Sequence, residues 1–211
     1  MSAAGVFGGT FDPVHYGHLR SALEVSERFE LEDFRLLPAG TPPHRPPTVA
    51  DAGHRLAMLE LGASAYPGFR VDEREIRREG YSYMVDTLAE IRREEGEIPL
   101  LLVIGQDAAN ALDGWHQWRR LFELAHLVVM RRPDSTVSYP ATVLEAMKGR
   151  YAEQPLQLME TSAGLVHHLE ITQLDISSTA IRQMLLAGRS PAFLMPKSVI
   201  DYIRRHGLYQ G

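Results

Sequence analysis

The clearest element in the hydrophobic pattern is Pro-Leu-Leu-Leu-Val-Ile-Gly at 99–105, apolar at every position between its proline and its glycine. A strand with one wet face alternates, so an unbroken run of this length predicts a strand buried on both faces. Shorter apolar runs predict strands at 3–9, 34–40 and 126–132, and alternation predicts another at 69–76. Two further short strands are expected at 156–160 and 165–171. Between these runs the spacing becomes helical. Leu19, Ala22, Leu23 and Val25 or Ser26 share one side of 17–29, and Leu56, Leu59 and Ala63 share one side of 51–64. Ser82 is placed to cap a helix running to about Glu95 that buries Val85, Leu88 and Ile91. Helical segments follow at 106–125 (interrupted at Asp113-Gly114), 141–150, 176–188 and 196–207. The last of these starts at proline and stops at glycine. Elsewhere in 133–155 no period is readable, and four prolines exclude regular structure across 41–49.

Strands alternating with helices predict an α/β fold, a Rossmann-like doubly wound parallel sheet with helices on both faces. The sheet core is expected at about 1–175 and a C-terminal helical portion at about 176–211, the whole chain forming one domain. Ligands on such sheets bind beyond the carboxyl ends of the strands, near the point where strand order reverses. The residues just after strands are therefore the candidates: 8–18, 40–45, 105–107 and 131–132.

Charge and composition narrow the ligand. With 22 Lys and Arg against 27 Asp and Glu, the 211-residue chain carries a net charge of −5. That balance argues against a nucleic-acid partner but leaves room for a local basic pocket that holds a small anion. The absence of cysteine excludes disulfides, thiolate nucleophiles and cysteine-ligated zinc, and fits a reducing compartment. No basic leader precedes an apolar segment, and no apolar run approaches the ~20 residues that span a bilayer. A cytoplasmic protein without a membrane partner is expected; its oligomeric state is not written in the sequence.

The stretch Gly-Gly-Thr-Phe-Asp-Pro-Val-His-Tyr-Gly-His at 8–18 carries the chemistry. It is neither a G-x-G-x-x-G fingerprint nor a P-loop. Gly8 and Gly9 let a ligand approach the backbone, and His15 and His18 are spaced to share the N-terminal face of the following helix. Helix N-termini offer N–H donors and partial positive charge to phosphate oxygens. Capping would account for either histidine alone. A shared zinc, with Asp12 or His44, would need a third ligand that is not obvious, so no metal site is expected. Ser177, Ser178 and Thr179 open a second helix, with Arg182 one turn in. Read alone they are an ordinary serine cap; beside the first helix they make a two-sided anion cradle.

These segments resemble, in order, those of the adenylyl- and cytidylyltransferase superfamily. The form "GGTFDPVHYGH" is similar to that of bacterial nicotinate-mononucleotide adenylyltransferases. The resemblance continues through "TPPHR" (41–45), "GYSYMVDTL" (80–88), "IGQDAANALDGWHQW" (104–118), "HLVVMRRP" (126–133) and "ISSTAIR" (176–182). It implies transfer of AMP from ATP to nicotinate mononucleotide, with Mg²⁺ accompanying ATP. By that resemblance His15 and His18 are catalytic. Gly8, Gly9, Thr10, Phe11, Gly105, Asp107, Ile176, Ser177, Ser178 and Arg182 bind ATP, and His44, Arg45 and Arg131 hold phosphates. Ser82, Tyr83, Met84, Thr87, Trp115 and His116 take the acceptor, with backbone N–H groups at two helix starts, near Tyr83–Met84 and Trp115–His116, facing its carboxylate. Met84 stands where the family usually has threonine. Another acceptor, such as phosphopantetheine or nicotinamide mononucleotide, and a non-catalytic nucleotide-binding module remain open as alternatives.

Overall fold

The computed structural model describes residues 3–41, 48–131, 136–172 and 174–210. The 99–105 run forms β4 (Leu100–Gly105), and its residues alternate between two cores. Leu101 and Val103 face one, with Ala22 and Val25 of α1 (Tyr16–Arg28), Met58 and Leu59 of α2 (Ala52–Ala63), Ile181 of α8 (Ser178–Leu186) and Ile203 of α9 (Lys197–His206). Leu100, Leu102 and Ile104 face the other, with Leu88 and Ile91 of α4 (Met84–Glu95), Ala109 of α5 (Gln106–Asn110), Leu121 of α6 (Leu121–Leu124) and Val143 of α7 (Ala141–Met147). Apolar side chains on both faces are the physical reason for the unbroken run. The C-terminal helices α8 and α9 thus share a core with α1 and α2.

The sheet is parallel throughout, in the order β3 (Phe69–Val71), β2 (Asp33–Pro38), β1 (Ala4–Gly9), β4, β5 (His126–Arg131), β6 (Val166–Glu170). The order reverses between β1 and β4, where Phe7 lies opposite Val103 and the strands run on to Gly9 and Gly105. The crevice of this fold type opens at that point.

Several expected elements differ. The strand at 69–76 stops at Val71, because Asp72 accepts the Arg74 backbone N–H at 3.1 Å and turns the chain into the short helix α3 (Arg74–Arg77). Residues 156–160 are not a strand; a 3₁₀ turn spans Pro155–Met159, opened by a proline that cannot donate to a ladder and by a Gln154–Gln157 capping box. On α2 Leu59 and Ala63 are buried as expected, joined by Arg55, Met58 and Gly62, whereas Leu56 is only partly buried. Helix α7 ends at Met147, short of 150. The 106–125 segment breaks over a longer stretch than Asp113-Gly114, with 3₁₀ turns at Leu112–Gly114 and Trp118–Arg120.

Candidate active site

His15 is the N-cap of α1 and His18 lies in its first turn. Their rings stack with centroids 3.7 Å apart and planes at 26°. Gly17 permits this: a Cβ there would lie 2.9 Å from His15 Nδ1 and 3.4 Å from the Ile176 carbonyl. Beneath them sits Phe11, whose ring meets His18 edge-on at 5.0 Å and Phe7 at 5.9 Å. Phe11 is buried, with a positive φ of 49°, and Gly9 makes room for its ring. Its side chain is buried and supports His18, which leaves its backbone as the part that could meet a nucleotide.

The loop between β1 and α1 takes its shape from distant side chains. Buried Arg55 donates to the Thr10 carbonyl at 2.9 Å and the Gly40 carbonyl at 3.2 Å, tying the ends of β1 and β2 together. Burial lowers the pKa of this guanidinium from its ordinary value, with Asp12 opposing the shift. Ser178 Oγ donates to the Pro13 carbonyl at 2.9 Å, and Arg182 Nη1 donates to the Asp12 carbonyl at 2.6 Å. Ser177 caps α8 by accepting the Ala180 N–H at 3.2 Å. Ser178 and Arg182, expected to face phosphate, are therefore also the latch that brings the start of α8 against the start of α1. Arg182 keeps about a quarter of its side chain exposed.

A second group gathers at the start of α4. Tyr83, not Ser82, is the N-cap. Ser82 Oγ instead accepts the backbone N–H groups of Gly40 at 3.0 Å and Thr41 at 3.2 Å. Gly40 is forced by crowding, since a Cβ there would lie 2.2 Å from the Glu75 carbonyl. Thr87 is fully buried, donating to Glu75 Oε1 at 2.7 Å and accepting from Arg78 at 3.0 Å. Burial raises the Glu75 pKa, opposed by the Thr87 bond and Arg78. Ser82 and Thr87 thus brace the start of α4 from behind. Tyr83 packs on His116 with ring centroids 4.3 Å apart, joining α4 to the 115–117 turn. Trp115 is partly exposed there, whereas Trp118 is buried under the Arg119 guanidinium. Trp115 and His116 are not at a helix start; they lie between two 3₁₀ turns, and the Trp115 N–H already donates to the Leu112 carbonyl at 3.0 Å. The expected carboxylate donors thereby reduce to the His116 N–H and the start of α4. Met84 bridges the two groups, its Cε 2.6 Å from where a Gly8 Cβ would be.

At the β4 end, Gly105 faces open space and Asp107 is exposed in the first turn of α5. Arg131 closes β5 beside Glu170, half-buried. Next to it Tyr139 Oη lies 2.9 Å from His168 Nε2, and burial, with Arg131 and His167, lowers the His168 pKa. His44, Arg45 and Arg132 lie outside the described residues.

Residue patterns overlooked Arg55, Glu75 and Tyr209. Arg55 is a charged side chain on a core-facing position, a legible oddity in the helical period of α2; Glu75 lies in a stretch read as a strand, and Tyr209, far along the chain, carries no such signal.

The cytidylyltransferase-like family model matches residues 6–184. A "Probable nicotinate-nucleotide adenylyltransferase" of Methylococcus capsulatus is 53% identical over 206 residues, covering 97% of this chain and 98% of its own. The protein of the same name in Acidithiobacillus ferrooxidans is 43% identical, covering 97% and 94%. Among solved structures, the Plasmodium falciparum nicotinic acid mononucleotide adenylyltransferase complexed with NaAD superposes with a TM-score of 0.75 at 15% identity, covering 99% of this chain and 98% of its own. At that identity the likeness is one of fold. Sequence match and sheet order agree: the chain belongs to the cytidylyltransferase-like family, among relatives named as nicotinate-nucleotide adenylyltransferases.

Proposed function

We infer that this protein transfers AMP from ATP to nicotinate mononucleotide, releasing pyrophosphate and forming deamido-NAD. The observation that carries the reading is the convergence of two helix N-termini, α1 with its stacked His15–His18 pair and α8, beside the reversal point of the sheet. Two helix ends and two imidazoles suit a polyphosphate. The relatives' names supply the acceptor.

In this reaction the acceptor's 5′-phosphate oxygen attacks the α-phosphorus of ATP, and the bond to the bridging oxygen breaks as pyrophosphate leaves. Such transfers are driven by positioning and charge stabilisation. His15 and His18 donate hydrogen bonds to the transferred and leaving phosphates, with the α1 and α8 N-termini behind them. Gly8 and Gly9 form the floor, where their missing side chains leave room for the Met84 methyl and the Phe11 ring. Gly105 and Asp107 lie where the ATP ribose is expected, while Arg131 holds phosphate. Tyr83, Trp115 and His116 enclose the pyridine ring. Mg²⁺ bound to ATP would offset phosphate charge, and exposed Asp107 would suit a water-mediated contact with it. No helix among the described residues is long and apolar enough to cross a membrane, and the proposed place of work is the cytoplasm.

ATP–pyrophosphate exchange tests the reading. Exchange that requires nicotinate mononucleotide is expected. Exchange driven equally by phosphopantetheine would move the chain to another acceptor, and ATP binding without any exchange would make it a binding module.

A further inference from the structure

We propose that Tyr209 is a positioning residue for adenylyl transfer, acting through the buried carboxylate of Asp12; the proposal rests on the functional reading above. Tyr209 lies just beyond the glycine stop of α9, where the Leu208 N–H closes the helix onto the Ile203 carbonyl at 3.0 Å. Its backbone is left-handed, with φ of 59°, and its side chain turns inward to 8% exposure. Its hydroxyl donates to Asp12 Oδ1 at 2.6 Å, across 197 residues of sequence.

Asp12 is 4% exposed and is the hub of the loop that carries His15. Its carboxylate also accepts the backbone N–H groups of Val49 at 2.7 Å and Ala50 at 3.2 Å, from the segment leading into α2. The loop's own carbonyls are held by side chains: Thr10 by Arg55, Asp12 by Arg182, Pro13 by Ser178. No strand or helix ladder sets the path of Thr10–Val14, so these bonds do. If Tyr209 served packing alone, a phenylalanine would fill its place. The hydroxyl does something more specific. Burial and the neighbouring Asp12 raise its pKa, so it remains a proton donor across the working range. Without it, Oδ1 keeps only the 3.2 Å bond to Ala50, and the carboxylate is drawn towards Arg182 Nη1, now 4.0 Å from Oδ2. That movement carries Pro13 and His15 with it. The pyridine-side groups Tyr83, Trp115 and His116 hang from α4 and the 112–118 turns and share no bond with this hub.

The test is Tyr209→Phe in the full chain. A kcat lower by about tenfold per folded molecule is expected, since small misplacement of reacting groups is costly, with the KM for nicotinate mononucleotide near native. Asp12→Asn should lower kcat as well, and the double variant should be no slower than the worse single one, because both act on one hub. Imidazole ¹H–¹⁵N spectra provide a readout independent of turnover, and the His15 and His18 signals should shift in Tyr209→Phe. Native kcat per folded molecule, or fully additive losses, overturns the proposal. If the native protein itself shows no transfer, the functional reading fails instead, and unshifted histidine signals then overturn the positioning role.

Discussion

His18 lies in the first turn of a helix, stacked on His15 and set on the edge of Phe11. An imidazole held this way needs no reorganisation to meet a phosphate oxygen, which is the source of preorganised electrostatic stabilisation. His18→Ala should lower kcat by roughly 10²–10³, the usual effect of removing one such donor, with a melting temperature close to native. Near-native turnover would end the catalytic role proposed for it. His15 is more buried, so His15→Ala should lose stability as well as rate. The tryptophans should separate in the same way. Trp115→Ala should weaken acceptor binding by about 1–3 kcal/mol, the scale of base–aromatic stacking, and leave ATP affinity alone. Trp118→Ala should instead cost about 3–5 kcal/mol of stability as a core deletion. Calorimetry with each ligand, beside urea unfolding, distinguishes the two; a Trp115→Ala variant weakened equally for both ligands would place that ring in a structural role.

At the scale of elements, the acid recognition proposed for the start of α4 predicts a preference between acid and amide acceptors. Its first N–H groups have no partner one turn back within the helix, and the Met84 side chain at that end reaches Gly8. A carboxylate suits such donors, whereas an amide turns its NH₂ group against one of them at a cost of about 1–3 kcal/mol. Nicotinate mononucleotide should therefore exceed its amide by about tenfold or more in kcat/KM. Because the donors are main-chain, Met84→Thr should leave the ratio near its native value. Steady-state kinetics with both acceptors decides this. A ratio near one in the native protein would remove the carboxylate pocket, and a large rise only in Met84→Thr would assign acid recognition to a hydroxyl.

Over the whole molecule, buried ionisable groups set how stability depends on pH. His126 opens β5 and is fully buried, with Nε2 2.8 Å from the Thr161 carbonyl and the Leu165 N–H donating to Nδ1 at 3.1 Å. Burial lowers its pKa, assisted by Arg92 and opposed by Thr161. The unfolded chain therefore takes up a proton below the ordinary histidine value of about 6.5 that the folded chain refuses. Stability is full above that value and falls as pH drops through it. His168, shifted the same way, adds to the slope. Glu75 is shifted upwards and contributes a slope of opposite sign above its ordinary value. Urea unfolding at pH 5, 6 and 7 should show declining stability with acid in the native protein and a shallower decline in His126→Gln. An unchanged slope in that variant would clear His126 of the effect.

The sequence by itself determined the parallel sheet, the helices on both its faces, and the position of the His15–His18 pair after β1, because these follow from local period and from residues close in the chain. Periodicity reports which face of a helix is dry, so α4 was legible down to Val85, Leu88 and Ile91. Where a charged residue took a dry position, the pattern did not report it, as on α2, where Leu59 and Ala63 are buried as their spacing predicts but Arg55 joins them and Leu56 is only partly covered. Only the tertiary structure decided which candidate side chains are taken up in bracing the site rather than left open for binding. Ser82, Thr87 and the ring of Phe11 have side-chain types suited to either task, and they became supports because Gly40, Glu75 and His18 lie against them. The bond from Tyr209 to Asp12 is the extreme case: a hydrogen bond is specified by positions in space, and no local pattern encodes a partner 197 residues away.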